Sequence, residues 1–91
     1  AWAAAAPGSV VDNLYGPTET TIAITVHRYS TADADAPNGV VPIGTPLPGQ
    51  HAEVVDGDGR GVSPGEIGEL VLAGSQVASG YWRDPERTAQ R

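Results

Sequence analysis

Strand-like segments account for most of the patterned sequence and predict a mainly β fold with short helical pieces at both ends. Three observations carry this. Val10, Val11 and Leu14 form a short apolar run that Gly16-Pro17 must break, because proline supplies no backbone donor and fixes φ. Ile22 to His27 alternates, which puts Ile22, Ile24 and Val26 on one face and Ala23, Thr25 and His27 on the other. Ala52 to Val55 and Ile67 to Ala73 are two further strand-like runs, separated by Asp56-Gly57-Asp58-Gly59 and Ser63-Pro64-Gly65, and predict an antiparallel pair joined through a long turn.

Ala1 to Ala6 has high helix propensity and stops at Pro7-Gly8, but it is too short to stand alone and reads as the tail of a longer helix, with Trp2 as a packing residue. Ser30 to Gly39 is polar, ends in Pro37-Asn38-Gly39 turn chemistry and predicts an exposed loop with Asp33 and Asp35 in solvent. Val40 to Gly49 holds Pro42, Pro46 and Pro48 with Gly44 and Gly49, which suits an irregular extended segment crossing the surface. Asp56 to Gly59 resembles a calcium loop only superficially, since Arg60 interrupts the series of oxygen ligands, so a tight turn is expected. Asp84 is placed to cap a helix whose first residue is Pro85 and whose first turn carries Glu86.

Composition bounds the function. A chain of 91 residues is at most one small domain with a thin core. Its net charge of -6, with no basic stripe, excludes phosphate-backbone binding to nucleic acid. Without cysteine there is no disulfide framework and no thiolate metal site. No apolar run approaches the roughly 20 residues of a membrane span, and the alanine-rich start has no charged n-region, so neither a membrane segment nor a signal peptide is expected. The first residue is not Met, which fits a processed protein or a piece of a longer one.

Chemistry concentrates in Asn13-Leu14-Tyr15-Gly16-Pro17-Thr18-Glu19-Thr20-Thr21. Glu19 can hold a magnesium ion, which takes one or two protein carboxylates beside phosphate oxygens and water. Thr18, Thr20 and Thr21 can hydrogen-bond phosphate, Tyr15 offers a face for a base, and the Asn13 amide carries a donor and an acceptor for a base edge. A capped turn with solvated polar residues is an equal reading of the same composition. His27 and His51 have no partner at metal-ligand spacing and read as ordinary histidines. Gly68, Gly74 and Gly80 fit no phosphate-loop spacing, and the chain has no lysine.

Asn13 to Glu19 resembles the core motif of amino-acid adenylation domains of nonribosomal peptide synthetases, in the adenylate-forming superfamily. Gly68-Glu69-Leu70 to Gly80-Tyr81-Trp82-Arg83-Asp84-Pro85-Glu86-Arg87-Thr88 resembles the next core motif, and Pro42 to Gly49 with the Asp56 turn resembles the segment between them, so the resemblance spans nearly the whole chain. It implies an internal piece of one AMP-binding domain. Residues 1-21 would form the strand and nucleotide-site loop, and residues 22-91 part of a distorted β-barrel subdomain with truncated helices at both ends.

The reaction implied is attack of an amino-acid carboxylate on the α-phosphate of ATP with magnesium, followed by capture on the phosphopantetheine of a peptidyl carrier domain. The enzyme implied is cytoplasmic, and a small helper protein is a further partner. Residue by residue, Tyr15 would stack on adenine, Asn13 would bond its edge, Gly16 would line the nucleotide, Thr18 would contact phosphate and Glu19 would hold the metal, with Thr18 and Glu19 as the catalytic pair. Leu14, Ile22 and Ala23 would line the substrate pocket, although Ile22 is equally readable as a barrel packing residue. The family's phosphate loop, ribose-binding aspartate and late lysine are absent from these residues, so the 91 residues alone are expected to be inactive. An acyl- or aryl-CoA ligase of the same superfamily and a non-catalytic β interaction module are the alternatives. Pro17-Thr18 favours the peptide-synthetase branch.

Overall fold

The computed structural model describes residues 2–90, and of Ala3 only the backbone. It is mainly β. In chain order the elements are helix α1 (Trp2–Ala5), strands β1 (Asp12–Tyr15), β2 (Thr25–Arg28), β3 (Thr45–Pro46), β4 (Gln50–Val55) and β5 (Glu69–Gly74), and helix α2 (Pro85–Ala89), with 3-10 turns at Thr18–Thr20 and Thr31–Asp35.

Two antiparallel sheets form. In the first, β2 lies between β1 and β3, with Asn13 opposite His27, Leu14 opposite Val26 and Tyr15 opposite Thr25. In the second, β4 pairs with β5 from Gln50 opposite Gly74 to Val55 opposite Glu69. No ladder joins the two sheets among the described residues. Main-chain bonds link them instead: Leu47 N donates to Ile24 O at 2.8 Å, and Gln50 N donates to Leu47 O at 2.9 Å.

Local chemistry sets these elements. The Asp56 turn is tight as expected, with Asp58 N and Arg60 N donating to Asp56 Oδ1 at 2.8 and 3.0 Å and Gly59 N to Asp56 O at 3.0 Å. At α2 the Asp84 carboxylate accepts from Arg87 N at 3.0 Å, with Pro85 at the first helical position. Val40 to Gly49 is extended, and its Thr45–Pro46 strand sits at the sheet edge, where proline's missing donor costs no ladder bond.

Four expectations are corrected. The alternating strand starts at Thr25, not Ile22, because Thr21 (φ 55) and Ile22 (φ 74) turn through the left-handed region, and Ile22 is 85% exposed where Ile24 is fully buried. β5 starts at Glu69, leaving Ile67 98% exposed. Asp33 is not solvated. It closes a capping box with Ser30 and lies 3.0 Å from His27 Nε2, which holds its carboxyl below the ordinary value through the Ser30 N–H first and the His27 contact second. Trp2 is two-thirds exposed and donates from Nε1 to Ser9 Oγ at 3.2 Å rather than packing.

The core is thin. Among the described residues Ile24 is the one buried apolar side chain. The accessible surface of 7248 Å² exceeds the roughly 5,000 Å² expected of a folded monomer of 9.3 kDa. The radius of gyration, 16.2 Å, likewise exceeds the roughly 12 Å of a self-contained domain of this length. No described helix is long and apolar enough to cross a membrane.

Candidate nucleotide site

Period-two geometry sorts the residues of β1 onto two faces. Asn13 and Tyr15 share one face with His27 and Thr25, and Leu14 lies on the other beside Asp12. Residues suited to a base edge and a base face therefore stand two apart on one side of the sheet. Leu14 is on the opposite side, 57% exposed. There Arg28 Nε donates to Asp12 Oδ1 at 3.0 Å and holds the Asp12 carboxyl below its ordinary value.

Asn13 is anchored across the chain, its Nδ2 donating to Pro42 O at 2.8 Å. The remaining N–H and the amide oxygen make no side-chain bond among the described residues. Tyr15 is 39% exposed, and its carbonyl accepts from Ile24 N at 2.8 Å, pinning the end of β1 to the buried residue of the core.

Gly16 stands at the tightest point. A Cβ there would lie 2.7 Å from Ala23 Cα, 2.7 Å from Thr20 Oγ1 and 2.9 Å from Ile24 N, so only glycine lets β1 and the returning segment meet. Pro17 ends the strand, and Thr18–Thr20 forms one 3-10 turn closed by Thr20 N and Thr20 Oγ1 on Pro17 O at 3.0 and 2.8 Å. Thr20 is thereby buried and spent on the turn. Thr18 is exposed and Glu19 half-buried.

Glu19 is held by the second motif. Ala78 N donates to Glu19 O at 2.7 Å, and the Tyr81 hydroxyl donates to Glu19 Oε1. Gln76 ties down residues 20 to 23: its Nε2 donates to Ala23 O at 2.7 Å and to Thr20 O at 3.4 Å, and its carbonyl accepts from Thr21 Oγ1 at 2.9 Å. The buried Gln50 supports it, with Oε1 accepting from Gln76 N at 3.2 Å and Nε2 donating to Ser75 Oγ at 3.0 Å. Neither Gln76 nor Gln50 is given a role by sequence pattern, and Tyr81 enters there only as part of the second core motif. The available signal was a polar Gln76 inside the run from Gly74 to Val77, and the Tyr after Gly80.

Of the substrate-pocket candidates, Ala23 is half-buried under Gln76 and Ile22 projects from the left-handed turn. A β-branched residue at φ 74 is strained by about 1–3 kcal/mol. Ile22 is 85% exposed within the described residues.

Magnesium can be tested against this donor set. No group of three metal-ligating side chains exists among the described residues. One carboxylate in a threonine-bearing turn still matches magnesium's habit of taking one or two carboxylates with phosphate and water. The residues fit. An open trough of about 620 Å³ along Ser79–Pro85, Thr88 and Ala89 adjoins the turn through Tyr81, which is bonded to Glu19; the donor set makes the Asn13–Thr21 turn the candidate site.

The strand thus presents an amide and an aromatic ring on one face, directly ahead of a turn carrying Thr18 and Glu19. The model for "AMP-binding enzyme" matches residues 1–82, and the chain belongs to that family. It is similar to L-proline--[L-prolyl-carrier protein] ligase of Streptomyces coelicolor, 48% identical over 88% of this chain and 15% of that protein. It is also similar to novobiocin biosynthesis protein H of Streptomyces niveus, 44% identical over 93% of this chain and 13% of that one. Among solved structures, a four-domain nonribosomal peptide synthetase bound to AMP and glycine superposes with a TM-score of 0.75 at 37% identity, over 87% of this chain and 6% of that one. The chain thus spans a small part of the relatives it matches.

Proposed function

We propose that these residues are the nucleotide-side segment of an amino-acid adenylation domain that makes an aminoacyl-adenylate from ATP and passes the aminoacyl group to a carrier thiol, releasing AMP. The observation that carries this reading is the placement of Asn13 and Tyr15 on one strand face directly ahead of the turn presenting Thr18 and Glu19, inside a family-matched span. The names of the relatives, a prolyl-carrier ligase and a peptide synthetase bound to AMP and glycine, support an amino acid as the substrate. The excess surface supports a segment whose open faces the rest of the domain covers.

In this reading a carboxylate oxygen of the amino acid attacks the α-phosphorus of ATP, forming the acyl-phosphate bond as the bond to pyrophosphate breaks. Tyr15 stacks on adenine, Asn13 bonds its edge, and Thr18 donates to phosphate, which together fix the α-phosphate for in-line attack. Gly16 brings the nucleotide turn close to the chain that returns through Ala23. Glu19 holds magnesium. When bound, magnesium offsets the charge that builds on the separating phosphates. Leu14, Ile22 and Ala23 border the substrate, with the strain at Ile22 maintained for that contact. The phosphopantetheine thiol of a peptidyl carrier domain then attacks the acyl carbon of the adenylate, forming the thioester as the bond to AMP breaks. The enzyme acts in the cytoplasm, and a small helper protein is a further partner.

The test is ATP–pyrophosphate exchange over a panel of amino acids by the protein that carries this chain. Exchange is expected to depend on an amino acid and on magnesium, and the 91 residues alone are expected to give none. Exchange that ignores the amino acid, or activity of the isolated residues, overturns the reading.

A further inference from the structure

The second glycine-rich motif grips the one acidic side chain of the site at two points. Ala78 N donates to the Glu19 carbonyl at 2.7 Å, and three residues later the Tyr81 hydroxyl donates to Glu19 Oε1. Main chain and carboxylate of one residue are thus held from one short segment.

Tyr81 is itself fixed. Its N–H donates to Thr88 Oγ1 at 2.9 Å, Thr88 Oγ1 donates to Asp84 O at 2.8 Å, and the Arg87 guanidinium lies 4.8 Å above the Tyr81 ring. Gly80 permits the approach: at φ 153, a Cβ would lie 2.6 Å from Thr88 Cγ2. The capped helix α2 therefore serves as the base on which the phenol is aimed across 62 positions of sequence at Glu19.

We propose that Tyr81 is a positioning residue for Glu19, fixing which carboxylate oxygen is presented to the metal of the nucleotide complex. The inference rests on the reading of Glu19 as the magnesium ligand. A glutamate on a flexible stem loses rotamer freedom when it ligates, and a phenol already bonded to one oxygen removes much of that loss in advance. A neutral donor does so without cancelling the charge that attracts the cation. Partners of this kind commonly set metal affinity as strongly as the ligands' own orientation.

The experiment uses the whole adenylating protein, with Mn²⁺ as probe and its binding in the presence of α,β-methylene-ATP read by electron paramagnetic resonance. Tyr81→Phe is expected to weaken Mn²⁺ roughly 10- to 100-fold. Metal-free nucleotide affinity should stay unchanged, and exchange activity should recover as magnesium is raised. Arg83→Ala, whose guanidinium lies over the Trp82 ring and not over Tyr81, should leave Mn²⁺ affinity unchanged. Glu19→Gln should weaken Mn²⁺ at least as much, and adding Tyr81→Phe to it should cost nothing more.

If Glu19→Gln binds Mn²⁺ as the wild type does, the ligand reading fails and this inference with it. If Glu19→Gln weakens binding while Tyr81→Phe does not, the inference alone fails. Should Tyr81→Phe not fold, the ζ-¹³C resonance of site-labelled Tyr81 decides: a shift on adding magnesium with nucleotide, lost in Glu19→Gln, supports the proposal, and no shift overturns it.

Discussion

Replacing Gly16 by alanine is the sharpest perturbation of the site that leaves its chemistry untouched. The added methyl would meet Ala23 Cα and Thr20 Oγ1 at 2.7 Å and Ile24 N at 2.9 Å, and two of these three atoms belong to the backbone. Room can open only if β1 separates from the returning segment, which breaks the 2.8 Å bond from Ile24 N to Tyr15 O. Overpacking costs about 1–3 kcal/mol and the lost hydrogen bond about 1 kcal/mol, so Gly16→Ala should destabilise this contact by about 2–4 kcal/mol. At 1.4 kcal/mol per factor of ten, local opening rises roughly 30- to 1,000-fold. The assay is amide hydrogen exchange in the protein carrying the chain, on the peptide spanning residues 20–26, where local opening is read directly. Gly8→Ala is the control, because nothing lies within 4 Å of its Cβ position. Exchange of the 20–26 peptide in Gly16→Ala at the control rate would refute the steric argument.

The same geometry sets other outcomes. Ile22→Gly removes the strain of a β-branched residue at φ 74 while losing little burial, so stability should hold or rise by up to about 1 kcal/mol as the Michaelis constant for the amino acid rises; a loss of stability would show that Ile22 packs. Gln76→Ala leaves the Ala23 carbonyl without its 2.7 Å donor and should cost about 1–2 kcal/mol, with amino-acid selectivity changing more than nucleotide affinity in exchange kinetics. The Asp33 carboxyl is depressed in the folded chain, so its contribution is present above the unfolded value of 3.8 and is lost as pH falls through the lower folded value. Protection at residues 30–35, corrected for the intrinsic pH dependence of amide exchange, should therefore be flat from neutrality to about pH 5 and fall below pH 4, and Asp33→Asn should remove that acid dependence.

Much of this was legible because it is local. The Asp56 turn and the Asp84 cap are each specified by residues a few positions apart, and the β4–β5 pair by two strand-like runs set around turn signals. The start of β2 was not legible. The apolar alternation runs on through Ile22, while the backbone there turns left-handed to bring Gly16 against Ala23. Asp33 was misread for a related reason, since its partners Ser30 and His27 appear only once the 3-10 turn folds back on β2. The grip of Gln76 and Tyr81 on residues 19 to 23 spans more than fifty positions, and no periodicity records a contact at that distance.

The central claim is tested most directly by a crystal structure of the protein carrying this chain with a non-hydrolysable aminoacyl-adenylate analogue. The account predicts the adenine ring against Tyr15 with its edge on the Asn13 amide, and the phosphate mimic within hydrogen-bond reach of Thr18. An analogue whose adenine ring lies instead along the Ser79–Ala89 trough, or on the Leu14 face of β1, would contradict it.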